Sequence, residues 1–323
     1  LSGRYEKEIQ IDNAVKKMLQ SMPSILTDYY YSLIGSGKSY VTAKAYVRNV
    51  IKFIQFTYNH GCKEDFYCDI TANHINKYIA SLRTKKVNGK TERTSDNHKT
   101  QNWSSLNSFF QFLIPSKISK NPVAETQRPK MKDNPQVTYL DTEEITKVLN
   151  NIEMNASPRM KNRDLSIFKI GFATGLRQSA IIQIDIDDLD LDHNQIRVTE
   201  KGDHDYYIMI GENLKSQILL WLADRKRYFS DITTNALFVS QERKRLSART
   251  MKDLTDKYTC NIDKHVTPHV MRHSCATNLY EKTGDIYLCA KQLNHKNVST
   301  TQRYAELSKE KQKKATNILD DMI

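Results

Sequence analysis

Long apolar runs are missing from this sequence. Crossing a bilayer takes about 20 consecutive apolar residues, and the best candidate, 167–176, is interrupted by Lys169, Gly171 and Gly175. The N-terminus shows no secretory signal either, so the expectation is a cytoplasmic protein with no membrane partner. Cysteine is sparse. The five residues at 62, 68, 260, 275 and 289 are odd in number, dispersed and never in a Cys-x-x-Cys pair. That pattern argues against a disulfide framework and for a reducing compartment. With only 10 glycines and 7 prolines and a mean hydropathy of −0.63, the composition suits a compact, helix-rich chain. Internal repeats and low-complexity tracts are absent. The chain starts at Leu1 rather than Met, which leaves open a preceding domain.

Acidic residues are also in deficit. Lys and Arg number 49 against 37 Asp and Glu, a formal net charge of +12 and a pI near 9.3. Such an excess favours a polyanionic partner, either nucleic acid or an anionic membrane surface. At 323 residues the chain can build two separate cores.

The first third reads as helices. Residues 5–20 are amphipathic; a second helix starts near Pro23 and ends at Gly35-Ser36-Gly37. Ser39 can cap a third, with Val41, Ala45, Val47, Ile51, Phe53 and Ile54 as its apolar face. Residues 71–83 and 98–114 give two more, and the polar stretch 84–95 reads as a loop. Prolines at 115, 122, 129 and 135, with Lys and Arg between them, mark the joint between two domains. Asp141-Thr142-Glu143-Glu144 then opens an apolar helix, and a buried helix is expected over 163–175. Residues 194–211 alternate as a strand pair turning at Gly202-Asp203, with Ile196 and Val198 matched to Tyr206, Ile208 and Ile210. At the C-terminus, Ala315, Ile318, Leu319, Met322 and Ile323 make an apolar stripe at helical spacing.

Six residues carry chemistry: Arg177, Lys201, His269, Arg272, His295 and Tyr304. A phosphodiester accumulates negative charge on its oxygens as it reacts, so catalysis there is positioning plus electrostatic stabilisation. Arginine forks fit two phosphate oxygens, histidines handle protons, and a tyrosine can attack phosphorus. Their contexts are Ala173-Thr174-Gly175-Leu176-Arg177, then Thr267-Pro268-His269-Val270-Met271-Arg272-His273, then Leu293-Asn294-His295, and Tyr304 after Thr300-Thr301-Gln302-Arg303. This order and spacing resembles the tyrosine recombinase (phage integrase) family, which reads Thr-Gly-Leu-Arg, a hairpin Lys, His-x-x-Arg-His, Leu-Gly-His, and a later Tyr.

The resemblance implies a mainly α fold with a small β-sheet in two domains. Its boundaries here are an N-terminal helical extension over 1–20, a helical core-binding domain over 21–125, a linker over 126–136, a mixed α/β catalytic domain over 137–307 and a tail helix over 308–323. It implies site-specific recombination of double-stranded DNA at a specific core site, through a 3′-phosphotyrosine and a Holliday junction, needing no cofactor, metal or ATP. Arg177 and Arg272 would clamp the scissile phosphate and Tyr304 would attack it. Lys201, in Glu200-Lys201-Gly202, would protonate the departing 5′ oxygen. His269 would act as acid and base, His295 would hydrogen-bond a phosphate oxygen, and His273 would bond within the fold. The implied partners are a homo-tetramer assembled on DNA through the tail helix and an accessory directionality factor. The role expected is integration or excision of a mobile element in the bacterial cytoplasm, on the nucleoid.

For DNA contact away from the chemistry, Lys38, Lys44, Arg48 and Lys52 line the third helix, with 44, 48 and 52 on one face. Lys99 and Asn102 lie on a polar helix face able to meet base edges. Arg243, Lys244, Arg245 and Arg249 form a second basic run. Zinc is an alternative for His265, His269, His273 and Cys260, against which Pro268 breaks the helical spacing. One departure weighs on activity: where the family carries an acidic residue three positions after the first arginine, this chain has Ala180, with Asp185 or Asp187 as substitutes. That departure leaves a non-catalytic DNA-binding protein as one rival reading; a type IB topoisomerase-like relaxing enzyme is the other.

Overall fold

The computed structural model describes residues 3–58, 63–87, 90–130, 137–200, 204–294 and 301, so the expected turn at Gly202-Asp203 lies outside the described residues. The chain divides into two compact units, Leu1–Pro135 and Gln136–Ile323. Both are mainly helical.

The first unit contains α1 (Gly3–Leu19), α2 (Ile25–Gly35), α3 (Tyr40–Tyr58), α4 (Ala72–Ser81), a two-stranded ribbon of β1 (Thr84–Val87) and β2 (Lys90–Arg93), and α5 (Asp96–Leu113). Its core is aromatic. Phe66 stacks on Phe109 at 6.0 Å, and Tyr29 meets the same ring edge-on at 5.2 Å. Phe53 and Phe110 are fully buried beside them. Ring pairs of this kind add about 0.5–1.5 kcal/mol each beyond the area they bury.

Two expectations are corrected here. On α3 the buried face is Ala43, Val47, Val50, Ile51, Phe53 and Ile54, while Val41 is 57% exposed and Ala45 only half-buried. The 3.6-residue period runs through 43, 47, 50 and 54, which turns 41 outward. The stretch 84–95, read as a loop, holds the β1–β2 ribbon, in the register Thr84↔Arg93, Lys85↔Glu92, Lys86↔Thr91 and Val87↔Lys90. After α5, Pro122 and Val123 are buried and Asn121 caps a short 3-10 turn over Pro122–Glu125. Trp103 donates to the Thr126 hydroxyl at 2.8 Å and Thr100 to the Pro129 carbonyl at 3.2 Å. The proline-rich stretch is therefore still tied to α5 at Pro129.

The second unit contains α6 (Thr142–Asn155), α7 (Pro158–Thr174), α8 (Gln178–Gln183), a sheet of β3 (Leu189–Asp190), β4 (Gln195–Glu200) and β5 (His204–Met209), then α9 (Glu212–Tyr228), α10 (Ala248–Tyr258), α11 (Pro268–Thr283) and α12 (Ile286–Gln292). Asp141 and Glu144 close a reciprocal capping box at the start of α6. The sheet is antiparallel in the order β3-β4-β5, with Ile196 opposite Ile208 and Val198 opposite Tyr206. Ile196, Val198 and Ile208 turn into the core; Tyr207 and Met209 face outward, as a period of two requires.

Helix α7 is the axis of this unit, packed by α6, α9 and α11. It buries an ion pair at its start: Arg163 and Asp164 are 3% and 1% exposed, with 2.6 Å between charged atoms. Arg163 also donates to the Val239 carbonyl, and the Tyr258 hydroxyl donates to the other Asp164 oxygen at 2.7 Å. Burial, with the carboxylate beside it, pushes the Tyr258 phenol well above its ordinary pKa. Every strong hydrogen-bonding group of this pair thus has a partner, which is the condition for a buried ion pair to hold.

Candidate active site

Three segments of the second unit meet around one guanidinium. The first is the end of α7. Gly175 caps it in the left-handed conformation, at φ +66, with its N–H on the Gly171 carbonyl. The Thr174 hydroxyl donates to Ile170 at 2.6 Å and accepts the Leu176 N–H. Leu176 is buried, and the next residue, Arg177, is the extended N-cap of α8, its carbonyl accepting the N–H groups of Ala180 and Ile181. Arg177 is half-buried at that junction.

The second segment is the first turn of α11. Pro268 occupies its first position, where a missing N–H costs nothing. His269 is exposed, its ring edge-on to His273 at 4.4 Å, and Arg272 three residues on is only 2% exposed. The third segment is the end of α12, where Leu293 is buried and Asn294 takes a positive φ of 49.

Arg272 joins them. One terminal nitrogen donates to the Gly175 carbonyl at 2.8 Å and the other to the Leu293 carbonyl at 2.7 Å. It is thereby fixed two residues from Arg177 on one side and two residues from His295 on the other. The packing beneath is close. A Cβ on Gly175 would lie 2.6 Å from Leu293 Cδ2 and 3.2 Å from Cys275 Sγ, and one on Gly171 would lie 2.7 Å from Met271 Sδ. Only glycine lets α7 approach α11 and Leu293 this way. Burial pushes the Cys275 thiol up to about 12, the nearby Arg272 charge opposing the rise. Cys275 is therefore a packing residue with no thiolate character.

Of the six residues singled out for chemistry, Arg177, His269 and Arg272 are brought to one locality. Lys201, His295 and Tyr304 lie outside the described residues, as do the tail-helix residues Ala315 to Ile323. Among the described residues no group of three or more His, Cys, Asp or Glu converges as a metal site would require, and His265, His269, His273 and Cys260 are all described. Ala180 is buried in the apolar packing of α8. Asp185 is bound to Arg245 and Asp187 accepts from Asn235, so both carboxylates offered as substitutes are engaged elsewhere.

The candidate DNA-contacting residues divide. Lys38 is exposed with its ammonium 5.9 Å from the Tyr46 ring; Arg48 and Lys52 are exposed on α3 and Lys44 is half-buried. Lys99 is ion-paired with Asp96 at 3.2 Å. Asn102 is corrected: it is 1% exposed, accepts from the Tyr78 hydroxyl at 3.0 Å and donates to the His98 carbonyl at 2.8 Å, so it reads no base edge. Arg245 is corrected as well. It donates to the Ile182 carbonyl at 3.0 Å and grips Asp185, holding the exit of α8 rather than facing a ligand. Lys244 is exposed, Arg243 pairs with Asp231, and Arg249, on α10, pairs with Asp253. Gly175 and Leu293 stood in the quoted motifs and Arg245 in the basic run, but their positioning roles were not legible there, because each acts on a distant segment.

The sequence model described as the phage integrase family matches residues 138–311. A tyrosine recombinase XerD of Oceanobacillus iheyensis is 30% identical over 292 residues, covering 88% of this chain and 94% of that protein. A tyrosine recombinase XerC of Alcanivorax borkumensis is 29% identical over 242 residues, covering 74% and 76%. Among solved structures, the XerH site-specific recombinase bound to palindromic difH substrate in a post-cleavage complex superposes with a TM-score of 0.70 at 21% identity, covering 88% of this chain and 81% of that one. At that identity the likeness is one of fold.

Proposed function

The chain belongs to the phage integrase family and is a tyrosine recombinase, and from that premise we propose that it cuts and rejoins duplex DNA at a specific site. In the proposed reaction the Tyr304 oxygen bonds to the scissile phosphorus while the bond from phosphorus to the 5′ oxygen breaks. Lys201 gives that oxygen its proton. The 3′-phosphotyrosine keeps a phosphodiester, so rejoining by a 5′ hydroxyl runs in reverse without ATP. Arg177 and Arg272 offset charge on the phosphate oxygens, His269 exchanges the proton of the attacking phenol, and His295 donates to a phosphate oxygen.

One observation supports this reading: Arg272 is buried and held between the carbonyls of Gly175 and Leu293, which joins the end of α7, just before Arg177, to the end of α12. The relative XerH is crystallised on a DNA substrate, which supports DNA as the partner here. Further proposals are four protomers paired through tail segments 308–323, passage through a Holliday junction, an accessory directionality factor, and integration or excision of a mobile element as the role.

The test starts from a duplex selected by binding from a random library, then nicked near its centre so that cleavage is trapped. In chelator, the wild type cleaves it; Arg177→Ala and Arg272→Ala bind it and lose about 10²–10³ in rate, as removal of a transition-state donor requires. The observation favouring a second reading is Ala180, buried where the family carries an acid. Tight binding by the wild type with no cleavage makes the protein a DNA-binding member of the fold. Relaxation of supercoils without sequence preference makes it topoisomerase-like. Cleavage at the ends of the element that encodes the chain decides the mobile-element role.

A further inference from the structure

Just ahead of the α6 cap, the irregular segment 137–140 is fastened to α11 by side chains of that helix. The Leu140 N–H donates to the Ser274 hydroxyl at 2.8 Å, and the Leu140 carbonyl accepts from the Asn278 amide at 2.9 Å. Leu140 and Ser274 are both fully buried. Buried peptide groups must find partners, and here α11 supplies both. Ser274 in turn donates to the Val270 carbonyl at 2.8 Å, and Asn278 to the Ser274 carbonyl at 2.8 Å. One residue earlier, Lys264 donates to the Tyr139 carbonyl at 3.0 Å, and the Tyr139 hydroxyl donates to Glu281 at 3.2 Å.

Two of these attachments fall beside the groups that hold Arg272. Ser274 follows Arg272 on α11 and Val270, its acceptor, precedes it, so the Ser274 hydroxyl spans the turn on which Arg272 sits. At the other end of the segment, Val137 is half-buried against Ala276 and Leu293. Leu293 is the residue whose carbonyl accepts one arm of Arg272. The Tyr139–Glu281 bond is different. Glu281 lies more than two helical turns beyond Arg272, roughly 14 Å along the axis.

We propose that segment 137–140 is a strap that positions Arg272, with Ser274 and Val137 as the positioning residues at its two ends. Neither touches the phosphate. Ser274 fixes the turn of α11 that carries the guanidinium, and Val137 backs the residue whose carbonyl receives it. A guanidinium that must meet a reacting phosphate is best fixed beforehand, since a misplacement of ~1 Å costs about 10²-fold in rate. The strap also continues the proline-rich stretch that joins the two units. The tether of the first unit is thus fastened to the helix that carries Arg272. The proposal rests on the reading of Arg272 as a clamp on the scissile phosphate.

The experiment compares Ser274→Ala and Val137→Ala with Tyr139→Phe, which removes a strap bond far from Arg272. Single-turnover cleavage of the nicked duplex is measured on the full chain at saturating protein, beside duplex affinity. Ser274→Ala is expected to lower the rate by about 10²-fold with affinity unchanged. Val137→Ala should lower it less, and Tyr139→Phe should leave it at the wild-type value. In an Arg272→Ala background Ser274→Ala should cost nothing further, because residues that act through one group are not additive. A purely structural loss would multiply through both backgrounds. The same fall in that background, an equal fall in Tyr139→Phe, or a wild-type rate in Ser274→Ala overturns the proposal. Should Ser274→Ala fail to fold, Val137→Ala, at a half-buried site, carries the comparison, and a wild-type rate from it overturns the proposal. Guanidinium resonances of isotope-labelled arginine, recorded without DNA, give a readout apart from activity. Held between two carbonyls, the terminal nitrogens of Arg272 should give separate signals that Ser274→Ala merges. If the wild type cleaves no duplex, the proposed function falls, and the resonances still decide the strap: signals unchanged in both alanine variants overturn it.

Discussion

Replacing Gly175 by alanine perturbs the fold and the site at the same atom. The residue sits at φ +66, and its Cβ would lie 2.6 Å from Leu293 Cδ2 and 3.2 Å from Cys275 Sγ. The left-handed conformation costs a side chain about 1–2 kcal/mol. Leu293 and Cys275 are 2% and 7% exposed, so neither can move away freely, and overpacking adds about 1–3 kcal/mol. Gly37 supplies the internal control. It has φ +80 with nothing within 4 Å of its Cβ, so Gly37→Ala should cost only the conformational ~1–2 kcal/mol. Gly175→Ala should cost about 2–5 kcal/mol, the two contributions together. The chain's 2 tryptophans fall one to each unit, Trp103 in the first and Trp221 in the second. Urea unfolding in single-tryptophan backgrounds therefore reads the two substitutions separately. A further consequence is specific to the site. Pushing Leu293 displaces the carbonyl that holds Arg272, and a shift of ~1 Å at a catalytic group costs about 10²-fold in rate. Under conditions where the variant stays folded, DNA cleavage should fall by about that factor. Equal costs for the two glycines, or wild-type cleavage by Gly175→Ala, would refute this account of how Arg272 is held.

Asp164→Asn leaves Arg163 buried with its charge uncompensated, and the second unit should lose about 3–5 kcal/mol by the Trp221 transition; a loss under 1 kcal/mol would mean the pair is not a structural element. Asn102→Ala strands the buried Tyr78 hydroxyl, so the first unit should weaken by about 1–3 kcal/mol while the salt dependence of DNA binding stays unchanged. A change in sequence preference would restore Asn102 as a reader of bases. Cys275 has its pKa raised from 9.0 to about 12 by burial, which keeps the thiol neutral in the folded state. The unfolded state loses that proton first, so the stabilising effect is complete below pH 9.0 and is lost as pH rises toward about 12. Unfolding free energies across that window should fall more steeply for the wild type than for Cys275→Ala; parallel curves would contradict the burial.

What could be read in advance follows physical range. Helix α6 was legible because its signal is local, the Asp141–Glu144 box; α7, expected over 163–175, starts earlier, at Pro158, and ends at Thr174 with Gly175 as its cap. The β4–β5 pair was legible because Ile196, Val198 and Ile208 alternate with polar neighbours. The β1–β2 ribbon was missed because polar strands carry no hydrophobic alternation. The remaining cue was Asn88-Gly89, a dipeptide favoured between hairpin strands. Asn102 and Arg245 look like surface residues in sequence; their partners, Tyr78 and the α8 carbonyls, are brought to them only by the folded chain. Arg177, His269 and Arg272 were found from their motifs, but the bond from Arg272 to the Gly175 and Leu293 carbonyls needed the structure.

The central claim is that Tyr304 forms the covalent link to DNA, and mapping the adduct tests it most directly. The wild type is trapped on the nicked duplex, the complex is denatured and digested, and the nucleotide-bearing peptide is sequenced by mass spectrometry beside Tyr304→Phe. The account predicts a phosphotyrosine at Tyr304 alone among the 17 tyrosines, and no adduct from Tyr304→Phe. An adduct at another tyrosine, or one that survives the substitution, would contradict it.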